Sequence, residues 1–232
     1  MASHSNTQRR VRFHGPAAAA RRVTVVPHPL VKHHLARLRD QQTGPAEFRD
    51  LTRRLAVLLA YEATQDLTTA PRTVQTPLAA AAGCALDQRI GLVPILRAGL
   101  GMVDAVLDLM PAAEVWHLGL YRDEATAKPV EYYSKLPKTR AVDVALILDP
   151  MLATGGSAVA ALATLRDWGV PHVKLLSLIA ARDGVEEVTS SFPETQIYVC
   201  GVDDELNVRK FTVPGLGDAG DRIFNTFHHG DE

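Results

Sequence analysis

Acids are missing from the first 39 residues of this chain. Seven arginines and Lys32 stand there without one Asp or Glu, a local charge of +8. The other residues carry 17 basic against 26 acidic side chains, so the whole comes to −1. Cysteine is scarce: Cys84 and Cys200 are the two in 232 residues. That excludes a disulfide-built secreted scaffold and fits a reducing, cytoplasmic setting, with both thiols expected as small buried residues. No apolar run is long enough to span a bilayer. Aromatics make up 6% and do not interleave with a basic stripe, which argues against a nucleic-acid surface. No Lys follows a glycine-rich loop, no Gly-x-Ser-x-Gly elbow occurs, and no Cys/His set has metal-ligand spacing.

What is there is an ordinary globular mix, 47% hydrophobic and 22% charged. Residues 1–22 read as a basic leader with no apolar periodicity, and 23–232 as a single domain. A helix is expected after Pro29, and another from Gly44-Pro45 with Phe48, Leu51, Leu55, Leu58 and Leu59 on one buried face. From Ile90 onward, apolar runs alternate with helical stretches. The runs are Ile90–Leu96, Val115–Leu120, Val144–Leu148, Val173–Ala180 and Gln196–Val199. The helices are Leu100–Met110, Gly156–Trp168 and Gly184–Phe192. This is an α/β pattern: a central, mostly parallel sheet with flanking helices. Ligands in such sheets bind beyond the C-terminal ends of the strands. Two stretches break the alternation. Residues 121–142 are long and polar, as in a flap, and 203–227 are rich in glycine.

The sharpest local signal runs from Val144 to Ser157. A buried strand ends in Asp149, and Thr154-Gly155-Gly156-Ser157 follows at a helix start. Glycines let backbone N–H groups converge, and a helix N-terminus favours an anion. Thr154 and Ser157 add hydroxyl donors. Asp149 would repel a polyphosphate but accept hydrogen bonds from ribose hydroxyls, so the pattern points to a sugar phosphate. A Gly-rich helix cap without a ligand is the plainer alternative.

This segment, Asp149-Pro150-Met151-Leu152-Ala153-Thr154-Gly155-Gly156-Ser157, resembles the 5-phospho-α-D-ribose 1-diphosphate (PRPP) loop of type I phosphoribosyltransferases. The wider family has two adjacent acids after the strand; here the second is Pro150, as in uracil phosphoribosyltransferases. Four other segments are similar to that family: His28-Pro29-Leu30-Val31-Lys32, Tyr61-Glu62-Ala63-Thr64, Val93–Met102 and Pro214–Asp221. The resemblance spans about residues 23–227.

The resemblance implies formation of UMP and diphosphate from uracil and PRPP. It assigns PRPP binding to Arg97, Arg122, Asp149, Pro150, Met151, Leu152, Ala153, Thr154, Gly155, Gly156, Ser157 and Asp218. It assigns uracil binding to Thr212, Gly217, Asp218 and Ala219, with Asp149, Asp218 and Arg122 in catalytic roles. Mg²⁺ would be held mainly by PRPP and water, with no protein metal site. The resemblance further implies a homo-oligomer, activated by GTP in some members. Phe211 and Thr212 depart from the aromatic hydroxyl and aliphatic residue common there. On spacing alone, Arg97 and Arg122 read as surface charges. Two other readings are an RNA-binding regulator on the same fold, favoured slightly by the basic leader, and a phosphoribosyltransferase for another base.

Overall fold

The computed structural model describes residues 22–122, 129–137 and 140–226, with backbone alone at 121, 122 and 129. The expected leader lies outside the described residues except for Arg22. In chain order the elements are β1 (Val23–Val25), α1 (Pro29–Arg39), α2 (Pro45–Ala63), β2 (Thr69–Gln75), β3 (Ala80–Leu86), β4 (Ile90–Leu96), α3 (Leu100–Leu109), β5 (Glu114–Val115), β6 (Leu118–Arg122) and β7 (Pro129–Ser134). Then come β8 (Val144–Leu148), β9 (Met151–Leu152), α4 (Gly156–Trp168), β10 (His172–Ala181), α5 (Arg182–Ser191), β11 (Gln196–Asp203), β12 (Glu205–Leu206), β13 (Thr212–Val213) and α6 (Ala219–Phe224).

The central sheet runs β1-β11-β10-β8-β4-β6-β7. All neighbours along it are parallel except β6 and β7. The interior strands are apolar on both faces because helices cover both. Along β8, Leu146 and Leu148 join the core under α1, α2 and α3, while Ala145 and Ile147 join the core under α4 and α5. This alternation follows from the two-residue period of a strand. In α2, Phe48, Leu51, Leu55 and Leu59 are fully buried, and Leu58 packs at the margin.

Several expectations need correction. The run Val115–Leu120 is two strands. β5 pairs with Gly91 and Leu92, and β6 with Ile95 and Leu96. Between them the Trp116 amide donates to Leu92 O at 2.8 Å, continuing the first pairing before the second begins at Leu118. The polar stretch 121–142 contains the edge strand β7, antiparallel to β6, so part of it is sheet rather than loop. Glu131 on that strand accepts from Thr164 of α4 at 3.0 Å, and Trp168 donates to Pro137 O at 2.7 Å. Residues 123–128 and 138–139 of the expected flap lie outside the described residues. The glycine-rich ending contains the short helix α6. Cys200 is buried, and burial pushes its thiol up to about 12. Cys84 is exposed instead, on a β2–β3 hairpin that sequence periodicity did not reveal.

Candidate active site

Parallel strands deliver their following loops to one end of the sheet. β4 and β8 lie side by side with Pro94 opposite Leu148, so Arg97 and Asp149 leave the sheet in adjacent loops. β6 is the next neighbour of β4, and Arg122 ends it. The side chain of Arg122 lies outside the described residues.

The loop after β8 is tightly tied. The Asp149 amide donates to Leu176 O at 3.2 Å. Pro150 O accepts from the Leu178 and Ile179 amides at 3.0 and 3.1 Å. Met151 and Leu152 then pair with Ile179 and Ala180 as β9. Gly155 turns the chain in the left-handed region at φ 86°, and its carbonyl accepts the Val159 amide at 2.9 Å to open α4. Ala153, Thr154, Gly156 and Ser157 remain partly accessible around that helix start. The result is a tightly tied loop at the N-terminus of a 13-residue helix, a place whose partial positive charge suits an anion.

Gly184, on α5, lets this cradle sit where it does. A Cβ there would lie 2.5 Å from Ala153 O and 2.9 Å from Leu152 O. In the sequence Gly184 stands only at an expected helix start; its signal is a glycine in the first turn of a helix that needs no bend.

Asp149 stands at the mouth of the loop. Burial pushes its carboxyl up to about 7, and a long hydrogen bond from the Met151 amide, at 3.5 Å, opposes this only weakly. Asp149 therefore holds its proton to higher pH than an exposed aspartate does. Among the described residues no group of three or more His, Cys, Asp or Glu could hold a metal ion.

The glycine-rich segment reaches the same end. Arg97 Nη2 lies 3.3 Å from Asp221 Oδ1. Asp218 caps α6, accepting from the Asp221 amide at 2.8 Å, and stays exposed. Ala219 is buried at the helix start and Gly217 is exposed at φ 76°. Thr212 is buried on β13, with its hydroxyl unpaired. Apart from Arg122, whose side chain is undescribed, the expected residues fall into two walls. One is the cradle of 149–157. The other is the turn of 212–221, whose Asp221 lies 3.3 Å from Arg97 in the loop next to that of Asp149.

A sequence model of the uracil phosphoribosyltransferases matches residues 25–226. The chain belongs to the uracil phosphoribosyltransferase family. It is 56% identical over 204 residues to a uracil phosphoribosyltransferase from Roseiflexus sp. (strain RS-1), covering 88% of this chain and 98% of that one. It is 50% identical over 206 residues to a uracil phosphoribosyltransferase from Thermus thermophilus, covering 88% and 99%. Among solved structures, AQ2163 protein from Aquifex aeolicus matches with TM-score 0.83 and 36% identity, covering 88% of this chain and 98% of that one. The uracil phosphoribosyltransferase match begins at Val25, the last residue of β1, so it takes in the rest of the sheet and both walls and omits the basic leader.

Three further residues, outside the sequence motifs, support the site. Arg39, Asp203 and Arg222 bind the backbone of the glycine-rich turn from behind. The available signal was Asp203 itself, a carboxylate ending an apolar strand just as Asp149 does.

Proposed function

We propose that the chain transfers the phosphoribosyl group of PRPP to N1 of uracil, giving UMP and diphosphate, as in pyrimidine salvage. The observations that carry this are a glycine-rich loop at a helix N-terminus after β8 and, beside it in the loop after β4, Arg97 lying 3.3 Å from Asp221 of the glycine-rich turn. The 5′-phosphate occupies the N–H groups and hydroxyls of 154–157. Asp149, once ionised, accepts from the ribose hydroxyls. Arg97 and Arg122 neutralise the diphosphate, their planar forks matching its oxygens. Mg²⁺ is a hard cation suited to diphosphate oxygens and water, so it arrives with PRPP rather than in a protein cage. The bond from the anomeric carbon to diphosphate oxygen breaks with its electron pair leaving on diphosphate. The bond to N1 forms, and the N1 proton passes to solvent or to the departing diphosphate. The transition state has oxocarbenium character, so holding both ends of PRPP and the base in line supplies much of the rate.

Uracil presents two carbonyl acceptors and an N–H donor along one edge. Backbone groups around Gly217 and Ala219 suit that pattern at close range, and Asp218 faces PRPP. A site built on hydrogen bonds rejects a base with the wrong pattern, because its own groups are left unpaired. Diphosphate release from PRPP, measured with uracil, cytosine, adenine and hypoxanthine, tests this. Release with uracil and near none with cytosine is expected; release with a purine, or none with uracil, overturns it.

A homo-oligomer is supported by the β2–β3 hairpin. Its residues are almost all exposed, including Leu78 and Leu86. A lone two-stranded hairpin is marginal in water, so a second copy covering it is the economical account. Sedimentation at micromolar concentration reads this; a monomer would refute it. Activation by GTP rests on the family resemblance, and GTP added to the same assay tests it. A cytoplasmic setting rests on the scarcity of cysteine. Among the described residues no helix is long and apolar enough to cross a membrane.

A further inference from the structure

The turn that follows β13 is held from behind by an ion pair distant in sequence. Asp203 ends β11 and is 5% exposed. Arg39 is the last residue of α1. Arg39 Nη1 donates to Asp203 Oδ2 at 2.9 Å, and Nη2 to Oδ1 at 2.5 Å, a two-pronged contact. Both partners also grip one residue, Gly215, from its two flanking peptide units. Arg39 Nη1 donates to Gly215 O at 2.8 Å, and the Gly215 amide donates to Asp203 Oδ2 at 3.0 Å. The four groups form a closed ring in which donor and acceptor of a single residue are both satisfied.

The next carbonyl is taken as well. Arg222 Nη1 donates to Leu216 O at 2.8 Å and to Leu38 O at 2.9 Å, and its guanidinium lies 4.3 Å from the Phe48 ring. Gly215 and Leu216 are thus fixed against the α1–α2 corner, immediately before Gly217. We propose that Arg39 and Asp203 are positioning residues for the base: their ion pair sets the place of the Gly215 peptide and so of the Gly217–Ala219 groups that read uracil. The inference rests on the uracil reading above. Neither residue touches the phosphate cradle, so the effect falls mainly on uracil and reaches PRPP only through Asp218. A bidentate, mostly buried pair suits this task. It is directional, and loss of one partner leaves the other charge without compensation.

The test uses the full chain carrying Asp203→Asn, Arg39→Gln or Arg39→Lys. The KM for uracil should rise about tenfold or more in Asp203→Asn and Arg39→Gln, while the KM for PRPP stays within about twofold. Arg39→Lys keeps the charge and a donor, so its uracil KM should fall between wild type and Arg39→Gln. Hydrogen exchange gives a readout independent of turnover. The Gly215 amide should exchange faster in all three variants, while amides of 151–159 keep wild-type protection. An unchanged uracil KM in a folded variant, equal rises for both substrates, or unchanged exchange at Gly215 would overturn the clamp. Failure of the wild type to use uracil would instead overturn the function on which it rests.

Discussion

Replacing Asp149 by Asn separates the charge of this residue from its shape. In the fold, burial raises the carboxyl from 3.8 to about 7. In the unfolded chain it titrates near 4. Between those values the folded protein keeps a proton that the unfolded chain gives up. The stabilising contribution is therefore complete below about pH 4 and is lost as pH rises through about 7. A rise from 3.8 to about 7 corresponds to about 4 kcal/mol, and partial solvent access to the residue reduces that to about 2. Asn is neutral throughout and escapes the loss. The stability advantage of Asp149→Asn should grow by about 1–2 kcal/mol between pH 5 and pH 8, or roughly 3–6 °C in Tm for a chain of this size. Scanning calorimetry on both proteins at the two pH values measures it.

The same variant should be the poorer enzyme. Asn keeps one carbonyl acceptor but lacks the anionic one, and a charge-assisted hydrogen bond contributes about 1.5–3 kcal/mol. At pH 8 kcat/KM for PRPP should fall roughly 10–100-fold. Near pH 5.5 wild type is itself largely protonated, so the gap should narrow. Wild-type kcat/KM for PRPP should correspondingly decline as pH drops through about 7. A Tm difference that does not change with pH would refute the assignment of a neutral buried carboxyl. Unchanged PRPP kinetics at pH 8 would show that Asp149 does not meet the ribose.

Gly184→Ala should push the cradle outward, since the added Cβ would sit 2.5 Å from Ala153 O. A stability loss of about 1–3 kcal/mol and a KM for PRPP raised more than that for uracil are expected, checked by urea melts and initial rates. Gly217→Val acts differently. At φ 76° with its nearest contact 3.6 Å away, the cost is backbone strain rather than crowding, about 1–3 kcal/mol. It should raise the KM for uracil and leave that for PRPP nearly unchanged, and equal losses would count against the division of the site. Deleting residues 1–21 should leave turnover and Tm close to wild type; a marked loss of either would give the leader an ordered role.

The parts of this fold that were legible in the sequence are those where local physics and tertiary packing agree. β4, β8 and α4 have the expected bounds. The two strands are covered on both faces and so read as unbroken apolar runs, and α4 is closed at both ends by left-handed glycines, Gly155 and Gly169. The β2–β3 hairpin was hidden because Thr69–Gln75 contains Pro71 and Ala80–Leu86 is mostly alanine, with neither burying a face that would impose alternation. The clamp was hidden for another reason. Asp149 and Asp203 carry the same local signature, a carboxylate closing a buried parallel strand. What separates them is a residue 164 positions away: Arg39 meets Asp203 in a two-pronged pair, whereas burial acts on Asp149 with only the Met151 amide against it. One strand-end acid thereby becomes a brace for the base turn. The other stays close to its titration point, beside the phosphate cradle, where a substrate hydroxyl can complete it.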